Sequence, residues 1–238
     1  MQLSLEAAKN GILAQVQRQD LIANHLANIN TTGFKKSRQA LGDFPIPGTH
    51  DISTPLDMRQ GDLVRTARDL DLAIGGDGFF TVLKGGVPAY TRAGNFRVDR
   101  DGNLVTSGGV MVEPAITFPP QTERKEVLAD GGVFAIMDGG QTVVQVGRLE
   151  ATRFINPMGL LPIGDNLYIE GPDSGPAITG NFGDTGFPIL QHRFLEDSNV
   201  DLTEEITEQV ATQRAFQANM RAYRTADGAI GEALDLFR

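Results

Sequence analysis

Apolar positions along the first thirty residues recur with a helical period. Leu5, Ile12, Gln19 and Leu26 lie seven apart, and Ala8, Gln15, Ile22 and Ile29 follow three residues behind them. This is the a/d spacing of a coiled-coil seam with polar interruptions. No proline interrupts the run, Gly11 is its single glycine, and Asn30-Thr31-Thr32-Gly33 closes it, with Gly33 where a C-cap is expected. The last forty residues repeat the design. Asp201 and Glu204 resemble a capping box. Behind them Ile206, Gln213, Met220, Asp227 and Leu234 form one series, and Leu202, Gln209, Phe216, Tyr223, Ile230 and Phe237 the other. Roughly 36 helical residues at about 1.5 Å each span about 54 Å, longer than an ordinary globular helix. Such a rod needs partners along its length.

Between the helices the texture changes. From Asp69 to Leu195, short β-branched or aromatic runs alternate with glycine pairs and Asp-Gly turns. They predict strands at 70–73, 79–83, 89–91, 96–98, 104–106, 110–112, 133–137, 143–146, 149–154, 168–169 and 189–193. Asp101-Gly102 is a hairpin signal. Residues 34–68, with Pro45, Pro47 and Pro55, read as an extended connector. The predicted fold class is therefore mixed: an all-β central domain inserted between N- and C-terminal α-helices that pair as a coiled-coil-like helical domain. The expected divisions are an N-terminal helix at 1–33, the connector at 34–68, a β-rich outer domain at 69–197 and a C-terminal helix at 198–238. A two-helix seam containing Gln15, Gln19, Gln209, Gln213 and Asp227 is weak alone, so its stability is expected to come from assembly. The candidate assembly residues are Leu5, Ile12, Ile22, Leu26, Ile29, Ile206, Val210, Phe216, Met220, Tyr223, Ile230 and Leu234.

Composition narrows the chemistry. The 238 residues hold no cysteine and no tryptophan, which removes disulfides, thiol nucleophiles and cysteine-based metal sites. Three histidines, at 25, 50 and 192, are too few and scattered for a metal cluster. The net charge of −9 is concentrated in residues 66–198, which carry 10 basic and 17 acidic groups. Without a basic cluster the chain is a poor candidate for nucleic acid or an anionic membrane surface. No apolar run is long enough to span a bilayer, and Met1-Gln-Leu-Ser-Leu-Glu-Ala-Ala-Lys9 has none of the features of a cleaved secretory signal. Any export is expected to use an uncleaved route.

Catalytic and ligand motifs are missing or incomplete. Asp99 and Asp101 suggest a calcium loop, but Gly102 falls too early and Val110 stands where a bidentate Glu is required, so a solvated turn is the better reading. Gly75-Gly76-Asp77-Gly78 lacks the Lys-Ser/Thr of a phosphate loop. Asp69 and Asp71 alternate on one strand face, read as exposed. His25 and His192 read as surface or packed side chains. No Gly-x-Ser-x-Gly elbow is present. No enzyme activity, cofactor or metal is expected.

The stretch from Leu21 to Lys35 resembles the N-terminal signature of bacterial flagellar axial proteins, carried here by Ala23, Asn24, Leu26, Ala27, Asn28, Asn30, Thr31, Gly33 and Phe34. Further matches run in order: 76–80, 90–96, 101–105, 154–160, 198–201 and Gln213-Arg214-Ala215-Phe216-Gln217-Ala218-Asn219. The resemblance covers almost the whole chain and is to the flagellar basal-body rod family, most nearly its distal-rod type. A minor rod-junction paralogue and a hook subunit are the alternatives within the family, and a periplasmic or surface binding module is the alternative from another class. What the resemblance implies is a structural axial subunit that polymerises helically, transmits torque from motor to hook and lines the export channel. Its implied partners are its own copies, other rod and hook subunits, surrounding ring proteins and the flagellar type III export machinery. The implied location is the basal-body rod in the periplasm. The binding-module alternative is poorly supplied with sugar-stacking rings, since tryptophan is absent and only three tyrosines occur.

Overall fold

A computed structural model of the chain describes residues 2–38 and 55–235, with the side chains of 2–5, 7, 8, 226 and 229–235 excepted. The described residues divide into two compact units, one of residues 2–29, 37, 38, 55 and 200–235, the other of 30–36 and 56–199. The connector expected at 34–68 lies partly outside the described residues, at 39–54.

The first unit is helical. Helix α1 runs Gln2–Ala27 and α2 runs Leu202–Asp235. Asp201 caps α2: its Oδ1 accepts from the Thr203 amide at 2.7 Å and the Glu204 amide at 3.1 Å, and Glu204 and Glu205 place negative charge in the first turn. At the far end of α1, the Asn24 carbonyl accepts from both the Asn28 amide (3.2 Å) and Asn28 Nδ2 (2.9 Å). Gly33 is not the C-cap expected of it. It lies six residues past Ala27 with φ +67°, where an added Cβ would meet the backbone of Arg92 and Ala93 at 2.6 Å. Close approach of two backbones, and not helix termination, requires glycine there.

The second unit is β-rich and every strand pair in it is antiparallel. Its largest sheet has nine strands. In the order of pairing these are β12 (Leu161–Pro162), β13 (Leu167–Ile169), β4 (Val87–Thr91), β3 (Phe79–Lys84), β7 (Met111–Glu113), β6 (Leu104–Val105) and β5 (Arg97–Val98). β11 (Glu150–Arg153) also pairs with β3, and β14 (Ile178–Asn181) with β11. A three-stranded sheet holds β10 (Thr142–Arg148), β9 (Gly132–Met137) and β8 (Arg124–Val127). Two short pairs complete the set: β1 (Leu63–Arg65) with β16 (Phe194–Glu196), and β2 (Leu72–Gly75) with β15 (Ile189–His192). None of these sheets closes into a barrel. The β3–β4 hairpin turns on Gly85-Gly86 alone, at φ +63° and +85°, the two positive values that a tight two-residue turn demands.

The period of two along β3 sends neighbouring side chains to separate cores. Phe80 and Val82 enter the main one with Leu72, Ile74, Phe96 and Leu149. Phe79 joins a smaller aromatic cluster with Leu56, Tyr90, Phe154, Leu160 and Tyr168, in which the Tyr90 and Phe154 rings meet edge to face at 4.7 Å. Each such side chain contributes about 1.5–3 kcal/mol by leaving water. Five strands were not expected from sequence: β1, β8, β12, β14 and β16. A second correction concerns Asp71. It does not share an exposed face with Asp69; it is buried at 1 % exposure, with the Arg68 guanidinium 3.6 Å away.

Candidate functional site

The two helices of the first unit run antiparallel and meet at several levels. Gly11 lies opposite Asn219, Arg18 Nη2 donates to Glu208 Oε1 at 3.0 Å, and His25 meets Glu205 at 3.1 Å. Near the His25 end the Ser37 N–H donates to His25 Nε2 at 3.1 Å, which makes that nitrogen an acceptor and leaves Nδ1 to carry the proton donated to Glu205. His25 is thus a packed, bonded histidine, one of the two readings its sequence allowed.

Burial sorts the candidate assembly residues into two groups. Ile22 is buried and Ile12, Leu26, Ile29, Phe216, Met220 and Tyr223 are half-buried. Ile12, Met220 and Tyr223 line one hollow of about 320 Å³ together with Lys9 and Leu13. Ile206 and Val210 lie elsewhere: with Leu202 they form an i, i+4, i+8 stripe at 48 %, 43 % and 50 % exposure. Leu13 and Val16 of α1 are similarly open, at 51 % and 41 %. Leu5, Ile230 and Leu234 fall among the side chains outside the description. Sequence periodicity put Ile206 in one series with Met220. Seven-residue spacing drifts by about 20° per heptad around a straight 3.6-residue helix, so Ile206 and Met220 lie only about 40° apart, and what separates them is how far each level of the helix is covered.

A second site lies in the β-rich unit, where three of the motif segments converge on buried charge. Glu196, at 0 % exposure, accepts from Lys35 Nζ, from the Gly61 amide at 3.2 Å and from Arg92 Nη1 at 3.4 Å. Lys35 Nζ also donates to the Arg59 carbonyl at 2.6 Å, and Arg92 Nη1 to the Gly76 carbonyl at 2.7 Å. The Arg92 guanidinium stands 5.2 Å from the centre of the Phe79 ring. Burial pushes the Lys35 ammonium below its ordinary range, against the opposing pull of Glu196. Beside this cluster, Asn199 acts as a polar clasp: its Oδ1 accepts from the Lys36 amide at 2.8 Å, and its Nδ2 donates to the Asp57 carbonyl at 2.7 Å. The Gly33 amide donates to the Glu196 carbonyl at 2.7 Å, and Asn166 Nδ2 to the Thr32 carbonyl at 3.1 Å. Residues 30–36, 56–61, 92 and 196–199 are therefore knotted together by charge and amide bonds. Motif matching marked several of these positions without indicating that they meet.

The remaining polar candidates have structural employment. Asp99 Oδ1 accepts from the amides of Asp101 and Asn103 at 2.9 and 2.7 Å, a side-chain turn. Those bonds, led by Asn103, hold the Asp99 carboxyl below its ordinary range. His192 Nε2 donates to the Asp69 carbonyl at 2.8 Å. Among the described residues no group of three or more acidic or histidine side chains is placed to hold a metal ion.

Buried charge spent on joining chain segments, and helices that keep an apolar stripe open after pairing, define a structural subunit. Comparison with known proteins gives the family. The chain matches the model for the flagella basal body rod protein over residues 5–35, the flagellar hook protein FlgE/F/G D1 domain over 73–135, and the flagellar basal body rod FlgEFG protein C-terminal region over 191–236. It is 36 % identical to the flagellar basal-body rod protein FlgG of Borreliella burgdorferi over 100 % of both chains. It is 37 % identical to FlgG of Bacillus subtilis over 99 % of both. Against the rod protein FlgF of Caulobacter vibrioides the identity is 33 %, over 84 % of this chain and 83 % of that one. The chain belongs to the flagellar basal-body rod protein family, and FlgG is its better match. Its role is that of a structural rod subunit of the basal body, in a family without enzymes.

Proposed function

We propose that this chain is a distal-rod subunit that polymerises helically, transmits torque from motor to hook and lines the export channel with its terminal helices. The observation that carries this reading is the pair of helix faces. One face of α2 packs on α1, while Leu202, Ile206 and Val210 remain open at helical spacing, as does the Leu13–Val16 edge of α1. In a polymer these stripes meet the helices of neighbouring copies in coiled-coil fashion, and the contact is heterologous, so it does not close. Under this reading Ile12, Ile22, Leu26, Ile29, Phe216, Met220 and Tyr223 hold the pair in shape, and Ile206 and Val210 make the contact between copies. Leu5, Ile230 and Leu234 extend the same seams.

The other partners are neighbouring rod and hook subunits, the rings around the rod and the type III export apparatus, which delivers the chain to the periplasm without a cleaved signal. The stronger likeness to FlgG than to FlgF favours the major distal rod over a junction paralogue. The test is Ile206→Glu combined with Val210→Glu. Both positions are open in the free subunit, so its melting is expected to shift by less than about 0.5 kcal/mol. Rods and swimming are expected to be lost, because two carboxylates would be desolvated at the contact between copies. Normal swimming by the double variant would refute this assignment.

A further inference from the structure

Residues 154–163, Phe-Ile-Asn-Pro-Met-Gly-Leu-Leu-Pro-Ile, contain no charged side chain in a chain that is 21 % charged. Phe154 and Leu160 are buried in the aromatic cluster and act as anchors. The residues they hold between and beyond them face water: Ile155 is 77 % exposed, Met158 45 %, Leu161 40 % and Ile163 37 %. The loop is rigidly backed. The Asn156 amide donates to the Ser174 carbonyl at 3.2 Å and Asn156 Nδ2 to the Asp173 carbonyl at 2.9 Å. Gly159 is packed so closely that an added Cβ would lie 2.5 Å from the Ser174 nitrogen. Ser174, itself fully buried, locks the backing segment: its one hydroxyl proton is shared between the Gly171 and Gly175 carbonyls, each at 2.9 Å, and its Oγ accepts from the Gly171 amide at 3.1 Å. An isoleucine held this far into water on a rigid support has the form of an interface anchor, since little further ordering is needed on binding.

We propose that residues 155–163 form a docking face on which a second copy of this chain packs in the assembled polymer; this rests on the reading of the chain as a polymerising rod subunit. Area and charge select that occupant. The four exposed side chains offer on the order of 400 Å², about half of what one partner of a stable pair buries. The face therefore holds only where the same copies also touch elsewhere, as they do when their helices meet in a polymer. Each copy carries a charge of −9 and residues 154–163 carry none of it, so copies approach each other at less cost on this segment than on the acidic surface around it. Pro162 lies on the edge strand β12 and offers no N–H for an added strand, so the contact is made by side chains.

The test places the photo-crosslinking residue p-benzoylphenylalanine at position 155 of the full chain in its own host. Isolated basal bodies are then illuminated and adducts read by gel and mass spectrometry. The expected product has the mass of two copies, with both linked peptides from this chain. Basal bodies that contain the chain but give no adduct, or an adduct with a different protein, overturn this proposal and leave the rod reading intact. Absence of the parent chain from basal bodies overturns both. As a second measure, Ile155→Glu with Met158→Glu is expected to leave the melting of the purified subunit unchanged and to reduce rods per cell at least tenfold. An unchanged rod count would contradict the proposal.

Discussion

At Glu196 one atom-level change has a large effect that can be worked from the structure. Its carboxylate stands between two buried cations, Lys35 at 1 % and Arg92 at 3 % exposure. Glu196→Gln keeps the volume and removes the carboxylate bonded to both cations, leaving Lys35 only the weaker pull of Asp57 and Arg92 that of Asp77 in a region that water does not reach. Breaking a buried pair in this way costs about 3–5 kcal/mol, a large share of the roughly 5–15 kcal/mol that holds a domain folded. For a unit of this size it lowers the melting temperature by roughly 10 °C. Urea unfolding followed by the near-ultraviolet signal of Tyr90 and Tyr168 measures it directly, because both rings lie in the aromatic cluster of the same unit.

The sign with pH is fixed as well. Burial lowers the Lys35 pKa in the folded state, an effect that Glu196 opposes. Without Glu196 the folded value falls further. The variant's deficit is therefore present at pH values below that folded pKa and shrinks as pH rises through it toward the unfolded value, where Lys35 is neutral in both states. Lys35→Met removes one of the two cations. Combined with Glu196→Gln it should cost less than the two single changes added together, by about 2 kcal/mol. A Glu196→Gln deficit under about 1 kcal/mol, or strict additivity with Lys35→Met, would refute the claim that this cluster holds residues 30–36 and 56–61 to the β-rich unit.

Two further outcomes follow from local geometry. Gly33→Ala puts a methyl group against the Arg92–Ala93 backbone at a φ of +67°; a loss of at least about 2 kcal/mol in the same urea assay is expected, and a neutral variant would remove the close-approach explanation. At Asp69, partial burial raises the pKa, but the Arg193 guanidinium, bonded through Nη2 at 2.5 Å, outweighs it and holds the carboxyl below its ordinary value. The resulting stability is present above the unfolded pKa near 3.9 and is lost as pH falls through the folded value. Asp69→Asn should flatten that part of the acid limb by under about 1 kcal/mol, and an unchanged limb would show that Arg193 contributes nothing.

The legible parts of the chain were those whose signal is local. The two helices showed in heptad spacing despite its polar interruptions, the Asp201 cap in its residue type, and the β5–β6 hairpin in Asp101-Gly102. The missed strands carry no such mark. β8 reads Arg124-Lys125-Glu126-Val127, a charged run, and becomes a strand because β9 offers Val133, Phe134, Ala135 and Ile136 as partners. β14, Ile178-Thr179-Gly180-Asn181, contains a glycine and two polar residues and is held by β11. Both are cases of tertiary pairing overriding local propensity. The Lys35–Glu196–Arg92 cluster was illegible for a related reason. Its members are separated by up to 161 residues, and a lone Lys in a run that ends Lys-Lys-Ser-Arg looks like a solvated side chain until the fold buries it.

The helix faces show why heptad counting alone cannot distinguish a contact within a subunit from one between subunits. Toward α1, helix α2 presents Glu205, Glu208, Thr212 and Asn219 beside Phe216, Met220 and Tyr223, and its named cross-helix bonds are polar. The polar groups of this face fix register and contribute little by burial, since charged and amide groups gain about as much from water as from each other, and its burial comes from Phe216, Met220 and Tyr223. The aliphatic stripe Leu202–Ile206–Val210, the face with more to gain by leaving water, is the one the lone subunit leaves open. A helix pair that still exposes an aliphatic stripe after its inner side is packed is stabilised further when another surface covers that stripe. In a rod subunit, the free energy of that covering is then available to assembly and is not already consumed in folding.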